Sequence, residues 1–198
     1  PNRLDRAKQM LSKMIDNMVD DKVGLVVFAG EAFTQLPITC DYVSAKMFLN
    51  TISPNLIATQ GTAIGAALQT AITAFGSNDS EVGRAIILIT DGENHEDDPV
   101  AAASQAAEMG VRGFTIGVGS PEGKMIPFEG DYLRDKEGNP VVTRLDESVL
   151  QDVAAAGKGL YVRAGNSEFG LNPIVDEIAR RDDEEYNSIV VEECDELY

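Results

Sequence analysis

The chain has 198 residues, 43% of them hydrophobic and 25% charged, with a net charge of −17 and a pI near 4.3. That length suits one domain with a sizeable core, and the acidity, with no basic run anywhere, excludes nucleic-acid binding, which needs basic patches. No stretch of ~18 apolar residues occurs, so these residues do not cross a membrane. No signal peptide opens the chain, and a start at Pro1 reads as a piece of something longer, whose anchors would lie elsewhere. Cys40 and Cys194 are too few and too far apart for a disulfide scaffold or a zinc site, and read as free thiols.

Taken in order, the chain alternates helical and strand patterns. A helix running to about Asp20 carries Leu4, Ala7, Leu11, Met14, Ile15 and Met18 on one face, the methionines serving as core filler. Lys22–Gly30 is apolar throughout and ends at glycine, as a buried strand does. Phe33–Cys40 contains Pro37 and reads as an edge strand, its hairpin partner. Asp41 caps a helix that presents Val43, Met47, Phe48 and Ile52 and stops before Pro54. A loop then delivers Gly61-Thr62, and Ile64, Leu68, Ala71, Ile72 and Phe75 follow at helical spacing.

Ala85 to Ile89 is an unbroken, mostly β-branched run, the pattern of a strand buried on both faces. Thr90, Asp91, Gly92 and Glu93 follow it. Asp91 is therefore expected at the carboxyl end of a central strand, where open α/β sheets bind ligands. A carboxylate there must be solvated, paired or bound to a cation; a solvated Asp-Gly turn is the plain alternative. Glu93, Glu96, Asp97 and Asp98 form an acidic cluster around His95. Asp98-Pro99 is a helix start, and early acids favour the helix dipole. With no paired His or Cys spacing, a transition-metal site is not indicated, and His95 reads as an exposed loop residue.

An Ala-rich helix over Ala101–Met109 leads to a strand at Val111–Gly119. Gly117, Gly119 and Gly123 have the wrong spacing for a dinucleotide loop, and Pro121 stands where a phosphate-binding helix would begin. Met125–Thr143 reads as an inserted hairpin around Lys136–Asn139. Asp146 caps a helix through Ala156 with Val149, Leu150 and Val153 inward, and Gly157 ends it. Leu160–Arg163 is the last parallel strand. Asn172-Pro173 starts a final helix carrying Ile174, Ile178 and Ala179, with Arg180–Glu185 a charged continuation. Residues 1–185 thus read as one domain and 186–198 as an acidic tail holding one β-branched run, Ile189-Val190-Val191.

The predicted fold is α/β, a doubly wound and mostly parallel sheet flanked by helices, with one antiparallel edge strand and an inserted β-hairpin. Gly61-Thr62 before an amphipathic helix, followed by a buried strand ending Ile89-Thr90-Asp91-Gly92-Glu93, resembles the von Willebrand factor type A domain. The insertion and the Gly157–Gly165 ending resemble the version carried by the Bacteroides aerotolerance (Bat) membrane proteins more than that of adhesion receptors. The resemblance implies that Thr62 and Asp91 belong to a metal-ion-dependent adhesion site for Mg²⁺, Mn²⁺ or Ca²⁺, consistent with hard oxygen donors. It also implies a protein partner, engaged through an acidic side chain, and a parent protein in the bacterial inner membrane with this domain in the periplasm. The family's Asp-x-Ser-x-Ser loop is missing, so the cation is expected to be weak or absent in these 198 residues.

No nucleophile–base pair and no Gly-x-Ser-x-Gly elbow is seen, so no catalytic residue, small-molecule substrate or enzyme activity is expected. The rival reading is an α/β enzyme, a metal-dependent hydrolase or nucleotide-binding protein, using the same strand edge. A third is a structural domain whose metal site has decayed. In the resembled family a first strand runs between the strands matching Val23–Ala29 and Ala85–Thr90, and this chain begins after it. Either the sheet closes up or another run fills the slot. Ile189-Val190-Val191 is the spare candidate, from this chain or a neighbouring copy, although its acidic surroundings make it a poor central strand.

Overall fold

The structure is a computed structural model that describes residues 3–18, 21–53, 56, 61–76, 83–93, 97–119, 121–125, 127–164, 172–179 and 186–193. His95, Glu96, Arg180–Glu185 and Cys194 lie outside the described residues. One six-stranded sheet organises the chain. Its strands are β1 (Lys22–Phe28), β2 (Ala32–Thr39), β3 (Gly83–Thr90), β4 (Val111–Gly117), β9 (Lys158–Arg163) and β10 (Tyr186–Glu193). Their spatial order is β2-β1-β10-β3-β4-β9, with β2 antiparallel to β1 and every other neighbouring pair parallel.

Buried residues divide by strand alternation. Val23, Leu25, Val27, Ala85, Ile87 and Ile89 point to one face, where they meet α1 (Arg3–Asp16), α2 (Tyr42–Thr51) and α6 (Asn172–Ala179). Val26, Phe28, Ile86 and Leu88 point to the other, against α3 (Ile64–Phe75), α4 (Pro99–Glu108) and α5 (Glu147–Ala156). The central strands are apolar at successive positions because both of their faces are covered.

The apolar stripe of α1 is buried over Leu4, Ala7, Leu11, Met14 and Ile15, but the helix ends at Asp16 rather than near Asp20. Asp41 caps α2 through a carboxylate that accepts from the Ser44 amide. The inward face of α2 differs from the expected one. Ile52, at the C-cap, is buried as expected and so are Ala45 and Leu49, while Val43 (73% exposed), Met47 (64%) and Phe48 (41%) face outward. Small Ala45 lets the helix lie close to the sheet, and that docking rotates the larger side chains away.

The inserted segment holds the expected hairpin turn, with Arg134 bridged antiparallel to Pro140 and the Val141 amide donating to the Leu133 carbonyl at 2.8 Å, and two short ribbons besides. β5 (Lys124–Met125) pairs with β8 (Val142–Thr143), and β6 (Pro127–Phe128) pairs with β7 (Asp131–Tyr132). The expected turn lies at its tip, where the Asp135 carboxylate accepts from the Glu137 and Asn139 amides. β5, and not a helix, follows the glycines after β4.

The slot between β1 and β3 is filled by the spare run of the expected tail, from this same chain. Tyr186–Glu193 is β10, a central strand parallel to both β1 and β3, running in register from Lys22↔Asn187 to Phe28↔Glu193 and from Gly83↔Tyr186 to Ile89↔Glu192. The backbone requirement decides this outcome. β1 and β3 each present an inner row of N–H and C=O groups, and a buried unpaired group costs about 1–3 kcal/mol, more than the burden of an acidic flank at the strand's end. Val190→Pro, which deletes a ladder donor in a central strand, is expected to lower stability by about 2 kcal/mol or more. Urea unfolding checks this, and an unchanged midpoint would place the segment outside the sheet.

Candidate functional site

The parallel strands end on one edge, and three segments gather there. The first follows β1, where the Ala29 amide donates to the Glu31 carbonyl at 2.8 Å. The second precedes α3 and is tied to the first, because the Ala63 amide donates to the Ala29 carbonyl at 2.8 Å. Thr62 therefore lies at this edge, and it is buried, with 6% of its surface exposed. The third is the turn after β3. Asp91 is also buried, at 4% exposure, and its Oδ1 accepts from the Glu93 amide at 2.9 Å. The Thr90 hydroxyl accepts from the Gly92 amide at 3.2 Å.

Gly92 makes the turn with φ +81, and a Cβ there would sit 2.5 Å from the Asp146 carbonyl oxygen. The same turn is pinned from the far side. The Asp146 amide donates to the Asp91 carbonyl at 2.7 Å, and the Arg144 amide donates to Glu93 Oε1 at 3.1 Å. Gly92→Ala thus meets both a strained φ and a backbone clash, and is expected to cost more than ~1 kcal/mol. Chemical denaturation reads the cost, and a neutral result would show that the turn can reshape.

Next to Asp146 stands a charged strut. Glu147, at the first turn of α5, accepts from the Tyr161 hydroxyl and from Arg163 Nε, each at 2.7 Å, linking α5 to the edge strand β9. The bond from Arg163, then that from Tyr161, hold the Glu147 carboxyl below its ordinary value of 4.5. Burial, followed by the bond to Glu147, pushes the Tyr161 hydroxyl up. A carboxyl depressed in the folded state contributes stability above its unfolded value, lost as the pH falls through the folded one. The stability difference between the native protein and Glu147→Gln should therefore be full above pH 4.5 and fade below it. Denaturant titrations at several pH values measure it; a difference that grows on acidification would contradict the assignment.

Asp97 was legible only as part of an acidic cluster. Its Oδ1 accepts from the Gly65 amide at 2.9 Å and its Oδ2 from the Ala66 amide at 2.8 Å, so it caps α3 and not the helix that follows it. Asp98 caps α4, accepting from the Ala101 amide. The signal for Asp97 was the pairing of an uncapped helix start with a glycine in its first turn, which no spacing rule relates to a residue 32 positions on.

In kind, a threonine hydroxyl and a carboxylate fit a hard divalent cation, and Thr62 with Asp91 would supply two of its roughly six ligands. No group of three or more His, Cys, Asp or Glu side chains able to hold a metal occurs among the described residues.

A doubly wound sheet with a Gly-Thr helix start and a strand-end Asp-Gly turn on its carboxyl edge defines a class of α/β domains that work through their loops. This chain belongs to the von Willebrand factor type A domain family, whose sequence profile matches residues 1–127. It is similar to the conserved hypothetical protein BatB of Bacteroides thetaiotaomicron, whose crystal structure is 55% identical, covering 91% of this chain and 88% of that one with a TM-score of 0.86. An aerotolerance-related membrane protein from Bacteroides fragilis is 53% identical, with 91% and 90% coverage and a TM-score of 0.85.

The fold is shared more distantly by proximal thread matrix protein 1 of the mussel byssus, 21% identical over 89% of this chain and 40% of that one, with a TM-score of 0.63; that structure has a zinc-occupied metal-ion-dependent adhesion site. The chain spans about half the length of the curated relatives it matches, 57% and 48% of two of them. No helix among the described residues is long and apolar enough to cross a membrane.

Proposed function

We propose that this domain is a protein-binding module of a bacterial, membrane-anchored aerotolerance-type protein, and that it grips its partner at the carboxyl edge of the sheet with the help of a divalent cation. The carrying observation is that Thr62 and Asp91, both buried, lie on the same strand edge, on segments tied to their neighbours by backbone bonds. A buried hydroxyl and carboxylate at a ligand edge are hard donors for Mg²⁺, Mn²⁺ or Ca²⁺. A cation held there leaves coordination positions for a partner oxygen, and an acidic partner group would fill one. It would also offset the repulsion between such a group and a chain of net charge −17. Membrane anchoring would come from segments outside these residues, as the similarity to an aerotolerance-related membrane protein supports.

With only two side-chain ligands in place, binding should be weak. A ligand specific to the native state at ten times its dissociation constant stabilises by about 1.4 kcal/mol, or roughly 3–6 °C for a domain of this size. Thermal unfolding in rising Mg²⁺, to tens of millimolar, should therefore show a shift of a few degrees in the native sequence and none in Thr62→Ala or Asp91→Ala. An equal shift in Thr62→Ala removes these two residues from the cation site; no shift in the native sequence shows that these residues alone do not hold the cation.

A further inference from the structure

Asp97 caps a helix to which it does not belong. Its neighbour Asp98 does the local work at the start of α4. Asp97 instead reaches α3, where each carboxylate oxygen takes one amide, those of Gly65 and Ala66. The N-cap residue of α3 is Ala63, which makes no side-chain capping bond. The first amides of a helix have no partner within it, and the helix dipole favours a negative group there. Gly65 leaves the room: a Cβ at that position would lie 2.8 Å from Asp97 Cγ. Two independent features of the α3 start, the missing cap and the missing side chain, are thus answered by one carboxylate from the segment after Asp91.

We propose that Asp97 is the positioning residue of the Thr62–Asp91 edge, tying the segment that leaves β3 to the helix that Thr62 introduces. Thr62 stands three residues before Gly65, and Asp91 six before Asp97. When Asp97 is seated, the two segments are held as one unit, and a cation arriving between them does not have to order either. When it is released, the first turn of α3 frays, as uncapped helix ends do. The consequence for affinity rests on the cation-binding reading; the clamp itself does not.

Amide hydrogen exchange without metal, followed by Mg²⁺ titration monitored by thermal unfolding, separates the two. Asp97→Ala should speed exchange at Thr62–Ala66 and at Asp91–Glu93 by at least tenfold and weaken Mg²⁺ at least fivefold. Asp97→Asn keeps one acceptor oxygen, should fall between, and carries the comparison if Asp97→Ala does not fold. Asp98→Ala, which removes the cap of α4, should lower the unfolding temperature comparably while leaving both segments and the Mg²⁺ response unchanged.

Gly65→Ala is the sign test. In a helix this exchange ordinarily stabilises, yet by evicting Asp97 it should lower the unfolding temperature and reproduce the faster exchange. Unaltered exchange at Asp91–Glu93 in Asp97→Ala, or the same acceleration in Asp98→Ala, overturns the clamp, whatever Mg²⁺ does. Accelerated exchange in a protein whose native form ignores Mg²⁺ upholds the clamp and removes the cation instead.

Discussion

The backbone ladder through β10 is the constraint on which the sheet depends. Without it, β2 and β1 form one ribbon and β3, β4 and β9 another, each with a buried row of amides and carbonyls facing a gap. β10 pairs along both rows, at seven positions with β1 and seven with β3. The two halves thereby become one layer, and the helices on each face have a continuous surface to cover. The contact is also very non-local, since Lys22 pairs with Asn187. Closing so long a loop precedes any gain from the ladder, which makes sheet completion a slow step of folding. Until it occurs, β1 and β3 both have open inner edges.

The carboxyl edge is assembled from parts that lean on each other through backbone amides. Ala29 holds Ala63, Asp91 holds Asp146, and Asp97 holds the first turn of α3. Bonds of this kind do not depend on long, rotamer-rich side chains, so little entropy is lost in forming them. The edge is therefore set before any ligand arrives. The Glu147–Tyr161–Arg163 strut ties the start of α5, next to Asp146, to β9.

Much of the fold was legible because burial on two faces leaves a strong mark. The runs in β1, β3 and β4 are apolar at consecutive positions, and the caps at Asp41, Asp98 and Asp146 are local signals read within three residues. Where the deciding partner is distant, legibility ends. On α2, hydrophobicity alone selected Val43, Met47 and Phe48, whereas contact with the sheet selected Ala45 and Leu49. Tyr186–Glu193 read both as an acidic tail and as the spare run for the vacancy between β1 and β3; its acidic flanks spoke against a central strand, and the unpaired rows of β1 and β3 decide for one. Of the site, Thr62 and Asp91 stood out as motif residues, while Asp97 did not, because its target amides belong to another helix.

The outer margins of the sheet bear on how the domain associates. β2 borders the sheet on one side, and its register with β1 slips between Leu25↔Leu36 and Val23↔Thr39, around the exposed Pro37. A proline and a bulge on a border strand withhold donors and bend the ladder, two devices that discourage further strands from adding. On the opposite side β9 is short and carries Lys158 and Arg163 at its ends, charges that a docking strand would have to cover. Growth by β-augmentation, the usual hazard of an open sheet, is therefore resisted from both directions. The main chain at both margins is thus a poor docking surface, and the loops are left as the places where side-chain chemistry can be selective.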